Sequence, residues 1–528
     1  MTEPGVDPNR DRVPRSLQLL VGALVVVGVL WRAAPLADAD GRLMAQWPTE
    51  DGYFMLTMGR NVALGRGLSV AGGETPTNGT QPLTTLVWAA GYRLVGPDRA
   101  AGIFLALVLQ LLASLATAYV IYRLARRAFH ARPGARARGL LAAGLWVASP
   151  VAMPHTMNCL ETGFYGLVAA LVGLAFLDTE ERPPLWSWRR TLGFGALLGL
   201  AFWVRNDSAF LIFAACVGYV WPGLRDRREE LRGRLARTLA FGATSVVVAS
   251  PWLVYNYVGF GHVMPVSGRA EALTGHFGGN LGGLPIVLAE YLGAIVPIPH
   301  AISSHPLVIA LALVPVLGVA GWLVRARPRL SPGERRLAGL VAIYVAGLCA
   351  FYGLYFGAAW FLPRYFLPIS PFFVLMTVSG LAWAYERAGA LGPKLAPVVA
   401  VGAIAAMTFL SQRQYRQGSE HPHFQVVAWV RDNVPEDVWV GAIQTGTLGF
   451  FHDRTVNLDG KVNVAAYEAL VARRQGEYVV EDTEIEYLAD WIGMRDWLTL
   501  PVIASHFELI VEDEAANLAV LRRRARTP

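Results

Sequence analysis

Apolar runs of about twenty residues recur along this chain of 528 residues, and clusters of arginine separate many of them. A run of that length can cross a bilayer as an α-helix, because each residue adds about 1.5 Å toward a hydrocarbon core of about 30 Å. Charged residues make up only 16% of the sequence, against about 25% in an average soluble domain. The pattern predicts an α-helical polytopic membrane protein.

The arginine clusters predict how the chain crosses the membrane, since loops rich in Lys and Arg stay in the cytoplasm. Arg10, Arg12 and Arg15 precede a first apolar run at about 17–35, whose flanks also resemble a secretory signal. We favour a retained span there, because many spans follow. The others are expected at about 100–122, 139–153, 160–178, two limbs of 191–221, 237–257, 305–325, 337–357, 366–384 and 395–411.

This count of about 11 transmembrane helices places the N-terminus in the cytoplasm and the first loop, 36–99, outside. Residues 83–95 are apolar but too few for a span, and 285–299 are broken by proline. The first is therefore predicted to be an interfacial or re-entrant helix, and the second a re-entrant segment.

Charge and pattern divide the chain into two predicted domains, 1–411 in the membrane and 412–528 outside it. Residues 412–528 carry 12 Lys/Arg and 18 Asp/Glu, although the whole chain has a net charge of +7. The basic excess of the membrane part is explained by topology, so no nucleic-acid partner is expected. In the acidic part, helices are expected at 424–434 and 464–474, and strands at 438–443, 455–458, 507–512 and 518–522. These elements predict a small external α/β domain.

The first external loop carries the strongest candidate for chemistry. Glu50 and Asp51 are adjacent acids, and acids beside a bilayer are candidates for a general base or a cation site. The same pair could instead be a solvated turn or the N-cap of a helix. Asn78, followed by Gly79, could contact a ligand or form only a turn.

Two arginines are expected near the outer membrane boundary. Arg205 interrupts the apolar stretch 191–221, whose limbs of about 14 residues rise only about 21 Å, so it should lie below the outer surface in a protein-lined or wet cavity. Arg364 follows Trp360 and Phe361, and aromatic residues often mark the headgroup level. Alternatively, Asp207 neutralises Arg205 and Arg364 extends to water.

Several segments in a fixed order resemble the GT-C superfamily of membrane glycosyltransferases. They are the acid pair with its following Gly-Tyr, then RNVALGRGLS, TPTNGTQPL, NCLETGFYG, RNDSAF, RYFLP and TLGFFHDRTVNLDGKVN. The likeness extends over the whole chain, and its nearest types are the arabinofuranosyl- and mannosyltransferases that use polyprenyl-phosphate sugars.

The resemblance implies an inverting glycosyltransferase of a bacterial inner membrane. It would move a sugar from a polyprenyl-phosphate donor to a cell-envelope glycan, lipid or protein acceptor on the external face. Asp51 aligns with the general base of that family. Glu50 stands where relatives commonly have Asp, so it either shares the role or raises the pKa of Asp51.

Further residues are candidates for contact with the donor or the acceptor. Glu161 could instead cap the following helix, and Asp459 with Lys461 could belong to a strand-to-turn element of the tail. The candidate substrate-binding residues are Tyr53, Asn61, Asn78, Glu161, Arg205, Asp207, Arg364, Tyr365, Asp459 and Lys461.

No nucleotide-binding loop is recognisable, as expected for a donor that carries its own phosphate. A divalent cation, Mg²⁺ or Mn²⁺, is left open as the one cofactor. The outer-loop histidines have no ligand spacing, so the sequence identifies no metal ligand.

Two other functions remain open at this stage. Buried charge within spans also suits a transporter or channel for a small solute, although no inverted repeat is recognisable. The other is a GT-C scaffold that binds lipid-linked glycan without turnover.

Overall fold

The computed structural model describes residues 13–38, 41–181, 183–225, 228–326, 329–357, 359–418 and 423–525. Arg10 and Arg12, used above to orient the first span, lie outside this set. Within it, the chain forms a helical membrane body followed by a domain that contains a five-stranded sheet.

The membrane body is built almost entirely from helices. In chain order they are α1 (Arg15–Ala33), α2 (Arg42–Ala45), α3 (Glu50–Ala63), α4 (Pro82–Val95), α5 (Arg99–Ala128), α6 (Ala135–Ala148), α7 (Ala152–Thr156), α8 (Thr162–Phe176), α9 (Trp188–Val204), α10 (Ala209–Arg225), α11 (Leu231–Phe260), α12 (Val266–Ala272), α13 (Leu284–Gly293), α14 (His300–Ser303), α15 (Pro306–Ala326), α16 (Pro332–Leu354), α17 (Leu362–Phe366), α18 (Ser370–Arg387) and α19 (Gly392–Gln417). A short hairpin of β1 (Ser69–Val70) and β2 (Thr75–Pro76) lies between α3 and α4.

All eleven predicted spans fall on helices, but they differ in length. Four of them, α6, α8, α9 and α10, have only 14, 15, 17 and 17 residues. Eight helical stretches among the described residues are long and apolar enough to cross a membrane: Arg15–Ala37, Arg99–Ala128, Asn206–Leu224, Arg228–Phe260, Pro306–Ala326, Pro332–Leu354, Leu362–Arg387 and Gly389–Gln417. The polytopic helical fold class is confirmed, and the count of about 11 remains a prediction.

Local chemistry fixes where α3 begins, and α3 carries both predicted acids. The Thr49 hydroxyl accepts a hydrogen bond from the backbone N–H of Gly52 at 3.2 Å and so caps the helix. Glu50 and Asp51 occupy the first turn, where negative charge is favoured by the helix dipole. A Cβ on Gly52 would lie 2.1 Å from the carbonyl oxygen of Asn158, so only glycine allows this close approach.

The tail consists of α20 (Phe424–Asn433), β3 (Val440–Ala442), α21 (Gly446–Phe451), β4 (Thr455–Asn457), α22 (Val464–Val471), α23 (Gln475–Glu481), β5 (Tyr487–Asp490), α24 (Pro501–His506), β6 (Phe507–Asp513) and β7 (Leu518–Arg523). The sheet order is β4-β3-β5-β7-β6. Strands β4, β3 and β5 are parallel, whereas β7 is antiparallel to β5 and β6. The predicted α/β domain is confirmed, with an additional central strand, β5, that the sequence pattern did not indicate.

The tail's sheet is oriented so that the carboxyl ends of its parallel strands approach the loop region 36–99. The segment after β3 begins α21, whose N-terminus contacts Glu50 of the membrane body. The segment after β4 carries Asp459 and Lys461. A Cβ on Gly79 would lie 2.2 Å from the carbonyl oxygen of Lys461, so the two loops are in direct contact. Ligands of open α/β sheets commonly bind at this edge.

Candidate active site

Asp51 forms an ion pair with Arg364 that joins α3 to α17. The Arg364 guanidinium donates a hydrogen bond to Asp51 Oδ2 at 2.6 Å, across 313 positions of sequence. The Asp51 side chain is 27% exposed and that of Arg364 14%. A partly exposed carboxylate beside an arginine at the end of an apolar helix can meet a polar substrate that arrives from the membrane surface.

Glu50 is directed away from this pair and into the tail. Its carboxylate accepts hydrogen bonds from the backbone N–H groups of Gly446 and Thr447, and from the Thr447 hydroxyl. Burial raises the pKa of Glu50, while the charge of nearby His423 and these hydrogen bonds lower it in part. The carboxylate thus caps the first turn of α21 and fixes the tail to the membrane body.

Lys461 brings a positive charge from the tail to the same site. Its ammonium group lies 3.2 Å from Glu271 of α12 and 3.9 Å from Asp459. Burial alone would lower the pKa of Lys461, but the charges of Asp51, Asp459 and Glu271 raise it above its usual value. Burial raises the pKa of Asp459, an effect that Lys461 opposes. Three segments far apart in sequence therefore meet around Asp51.

Arg205 lies in a second, buried cluster. Its guanidinium donates to Glu161 at 2.7 Å and to Asp207 at 2.8 Å, and it also donates to the Tyr352 hydroxyl at 3.1 Å. It lies 4.7 Å from the ring centroid of Tyr365. The predicted break between two limbs is confirmed, because α9 ends before Arg205 and α10 begins at Ala209. The geometry fits the alternative in which Asp207 neutralises Arg205.

Aromatic rings connect the two arginine clusters. Arg364 lies 4.3 Å from the ring centroid of Phe361 and 5.3 Å from that of Tyr365. Tyr365 in turn stacks on Tyr352, with ring centroids 4.6 Å apart. The rings of Phe361 and Tyr365 thus both lie within cation–π distance of Arg364, and such contacts favour a guanidinium over an ammonium group here.

Three of the predicted substrate-binding residues form hydrogen bonds with other parts of the protein. Tyr53 donates to the carbonyl of Met44 at 2.6 Å, and Asn61 donates to that of Ser69 at 2.9 Å. Asn78 Oδ1 accepts from the backbone N–H of Val266 at 3.0 Å. These contacts stabilise the loops around Asp51, and no contact to a substrate is required to explain them.

A buried glutamine, Gln110 of α5, holds the loop in front of Glu161. Its side chain accepts from the N–H of Cys159 at 3.0 Å and donates to the carbonyl of Leu160 at 2.9 Å. Cys159 has φ of 60°, which is unusual for a residue other than glycine. Because the carbonyl of the preceding Asn158 also accepts from the N–H of Thr49, this loop positions the start of α3.

Asp453 docks the tail onto three arginines of the membrane body. Its carboxylate lies 2.9 Å from Arg99, 3.2 Å from Arg60 and 3.5 Å from Arg66. Arg99 also donates to the carbonyl of Phe450. Together with Glu50, these contacts hold the tail against α3 and α5.

The acidic residues near Asp51 fit a divalent cation poorly. Asp51 faces Arg364, while Asp459 and Glu271 face Lys461, so each carboxylate is next to a positive side chain. In the part of the chain that the structure describes, no group of three or more His, Cys, Asp or Glu side chains is arranged to hold a metal ion.

Sequence reasoning missed Glu271, Gln110, Asp453 and Tyr352. Asp453 lies in the TLGFFHDRTVNLDGKVN segment but was not singled out there, and the other three are single residues in segments without a recognisable motif. All but Gln110 have their partners far away in sequence. Gln110 alone gave a signal, since an amide in the middle of an apolar span is expected to have a partner.

Comparisons with known proteins agree with this architecture. A family model described as Dolichyl-phosphate-mannose-protein mannosyltransferase matches residues 80–255, and a model described as a domain of unknown function (DUF8728) matches residues 405–523. No curated protein sequence matches the chain.

Solved structures share the fold over almost the entire chain. ArnT from Cupriavidus metallidurans, bound to undecaprenyl phosphate, has a TM-score of 0.58 at 14% identity and covers 97% of this chain and 98% of its own. The oligosaccharyltransferase of Archaeoglobus fulgidus, in complex with Zn and sulfate, has a TM-score of 0.57 at 12% identity, with coverage of 92% and 71%. AglB from the same organism, in complex with an inhibitory peptide and a dolichol-phosphate, has a TM-score of 0.54 at 13% identity, with coverage of 97% and 75%. This shared fold and the family-model match over residues 80–255 support the resemblance to the GT-C superfamily of membrane glycosyltransferases.

Proposed function

We propose that this protein is an inverting glycosyltransferase that moves a sugar from a polyprenyl-phosphate donor to a cell-envelope glycan, lipid or protein acceptor. The observation that carries the proposal is the Asp51–Arg364 pair, which combines a candidate base and a candidate phosphate ligand. The fold neighbours support the donor class, since one was solved with undecaprenyl phosphate and another with a dolichol-phosphate and an inhibitory peptide.

In the proposed reaction, Asp51 accepts the proton of an acceptor hydroxyl as its oxygen attacks the anomeric carbon. The bond between that carbon and the phosphate oxygen breaks, and polyprenyl phosphate leaves with the bonding electrons. Attack from the opposite side inverts the anomeric configuration. A positioned carboxylate base contributes about two to four orders of magnitude to the rate of such a step.

Arg364 links donor binding to the basicity of Asp51 in this proposal. A guanidinium binds phosphate oxygens through two parallel hydrogen bonds, so a donor phosphate competes with Asp51 for Arg364. When Arg364 turns to the phosphate, it stabilises the charge of the leaving group and withdraws a hydrogen bond from Asp51. The carboxylate then becomes a stronger base only when the donor is present.

The tail contributes to the acceptor side of the site. Lys461 and Asp459 lie on the loop that faces Asp51, and Glu271 holds Lys461 in place. Deleting residues 421–528 is therefore expected to impair use of the acceptor, while the membrane body still binds the donor. Glu161 and Asp207 both form ion pairs with Arg205, so in this proposal they are positioning residues that act through Arg205.

The location of the site follows from charge, and we propose a bacterial inner membrane. Under the positive-inside rule, the loop that holds Asp51 and the tail lie outside the cytoplasm. Protease added to oriented vesicles tests this placement. Cleavage of the tail from the cytoplasmic face alone would contradict it.

A reconstituted transfer assay tests the function. The full chain in proteoliposomes is given a panel of labelled polyprenyl-phosphate pentoses and hexoses with a cell-envelope extract as acceptor. We expect one donor to release polyprenyl phosphate as label enters the acceptor, and Asp51→Asn to lower both signals by about two to four orders of magnitude. If neither a panel donor nor polyprenyl phosphate itself binds the wild-type chain, the proposal is wrong.

A further inference from the structure

An open pocket of about 320 Å³ lies at the end of α5 away from Asp51. It is lined by Arg123, Arg126, Arg127 and Leu174. The opposite end of α5 begins at Arg99, which contacts the tail. Twenty-four residues of helix separate Arg99 from Arg123, which corresponds to about 36 Å. Since the hydrocarbon core is about 30 Å thick, the pocket and Asp51 lie at opposite membrane faces.

Several arginines around this end of the body pair with carboxylates. Five ion pairs of 2.7 to 3.5 Å occur there: Arg132 with Glu334, Arg138 with Glu386, Arg190 with Asp178, Arg234 with Glu230, and Arg335 with Glu181. The three pocket arginines differ. Among the described residues, none of them pairs with a carboxylate, and Arg123 and Arg126 donate only to the hydroxyls of Tyr119 and Tyr122, at 2.9 and 3.4 Å.

The surface next to the pocket has the pattern of a membrane interface. Tyr119 is 57% exposed one turn before Arg123, and Leu112 is 55% exposed further along the same helix toward Arg99. Tyrosine commonly lies at headgroup depth, between apolar side chains in contact with acyl chains and basic side chains in contact with phosphate. A lipid lying along α5 would place its phosphate beside the three arginines.

We propose that Arg123, Arg126 and Arg127 form a binding site for the phosphate group of an anionic phospholipid, at the membrane face opposite Asp51. Three guanidinium groups without carboxylate partners supply the charge, and their planar donors match phosphate oxygens in pairs. Leu174 and the exposed side of α5 supply the apolar surface for the lipid. This site does not depend on the proposed glycosyl transfer.

The test compares lipid retention by two triple variants that lose the same charge. The pocket variant is Arg123→Gln/Arg126→Gln/Arg127→Gln. The control is Arg136→Gln/Arg189→Gln/Arg232→Gln, which changes three exposed arginines that do not line the pocket. Each full chain is equilibrated with phosphatidylcholine nanodiscs that contain phosphatidylglycerol. Native mass spectrometry then counts the phosphatidylglycerol molecules retained after release into detergent.

We expect the wild type and the control to retain one phosphatidylglycerol, and the pocket variant to bind it about a hundredfold more weakly, as three arginine contacts near a membrane surface imply. An Arg→Lys triple at the pocket preserves the charge and should retain the lipid with intermediate affinity, even if the glutamine variant fails to fold. Equal retention by both glutamine triples, or equal loss, would refute the site. Displacement of the lipid by inorganic phosphate at the same affinity would show a free-phosphate site and refute the lipid assignment.

Discussion

Thr447 donates two hydrogen bonds to the carboxylate of Glu50, one from its backbone N–H at 3.0 Å and one from its hydroxyl. The next residue, Asp51, has a different partner, Arg364. Successive residues of a helix point about 100° apart, so two adjacent acids can serve different surfaces. Glu50 joins the two domains, whereas Asp51 faces the candidate active site.

Replacing Asp51 with Asn should remove the base and preserve the shape of the side chain. Transfer is expected to fall by about two to four orders of magnitude. The thermal midpoint should change little, because Asp51 is partly exposed. The assay is turnover in proteoliposomes, with Glu74→Gln as a matched control on an exposed acid of the same loop. Near-normal turnover by Asp51→Asn would remove it from the mechanism.

Replacing Glu50 with Gln should loosen the tail. The amide group of Gln would face backbone donors of Gly446 and Thr447, and leaving one buried donor unsatisfied costs about 1–3 kcal/mol. We expect a lower unfolding temperature and faster proteolysis of the tail, with Glu74→Gln unchanged. If Glu50→Gln were as stable as the wild type but lost turnover as Asp51→Asn does, Glu50 would be part of the catalytic pair.

The sequence predicted the elements better than the contacts between them. Tail strands at 440–442, 455–457, 507–513 and 518–523 fall where alternating or β-branched runs were recognised. The central strand, Tyr487–Asp490, was missed because its sequence, YLAD, contains no β-branched residue and ends in an acid. Only the fold reveals that this strand joins the parallel and antiparallel halves of the sheet.

For the candidate site too, the residues were easier to predict from the sequence than their contacts. Asp51 was identifiable because an acid pair is conspicuous on an otherwise turn-rich loop. That Glu50 binds the N-terminus of α21 could not be predicted, since its partners lie about 400 positions away in sequence. The two limbs beside Arg205, α9 and α10, have 17 residues each and not about 14, so its depth in the membrane remains a prediction. Its contact with Asp207 agrees with the alternative in which Asp207 neutralises it.

The stability of the tail is expected to depend on pH through His423. Burial lowers the pKa of His423, but the hydrogen bond and charge of Asp490 and the charge of Glu50 raise it above the usual 6.5 overall. Because the pKa is raised in the folded state, protonated His423 contributes fully to the stability of the tail below pH 6.5. This contribution is lost as pH rises through the pKa of His423 in the folded state. Protease protection of the tail should therefore decrease with rising pH in that window.

The variant His423→Gln tests this pH dependence, because glutamine can still donate to Asp490 but does not titrate. Protection by the variant should be nearly flat over the same range. His506→Gln, on an exposed helix end of the same domain, is the control and should titrate as the wild type does. An unchanged pH profile in His423→Gln would assign the dependence to another group.

Removal of divalent cations should leave transfer largely intact. The carboxylates around Asp51 face Arg364 and Lys461, and these side chains already supply positive charge. Turnover is therefore expected to be similar with and without EDTA. Loss of activity in EDTA with recovery on adding Mg²⁺ or Mn²⁺ would show that a cation joins the site when the substrate is bound.

Arginine-to-lysine variants distinguish an arginine that binds the donor phosphate from one that belongs to a buried ion-pair cluster. Arg364→Lys keeps the charge but loses the two parallel hydrogen bonds, so affinity for a polyprenyl-phosphate analogue should weaken by about 1–3 kcal/mol. Arg205→Lys should instead lower stability, because one ammonium group cannot reproduce the contacts to Glu161, Asp207 and Tyr352. Its donor affinity should change little.

The two outcomes are measured on the same samples, by titration with the analogue and by thermal unfolding. Arg93→Lys, on an exposed position of α4, is the control and should change neither quantity. Weaker donor binding by Arg205→Lys at unchanged stability would make Arg205 a phosphate ligand after all.

Unchanged affinity in both variants would direct the search for the phosphate site to Arg60, Arg66 or Arg269. Two of these already pair with Asp453, and Arg269 lies 4.6 Å from the ring centroid of Tyr467. A donor phosphate bound there would have to compete with the contacts that dock the tail.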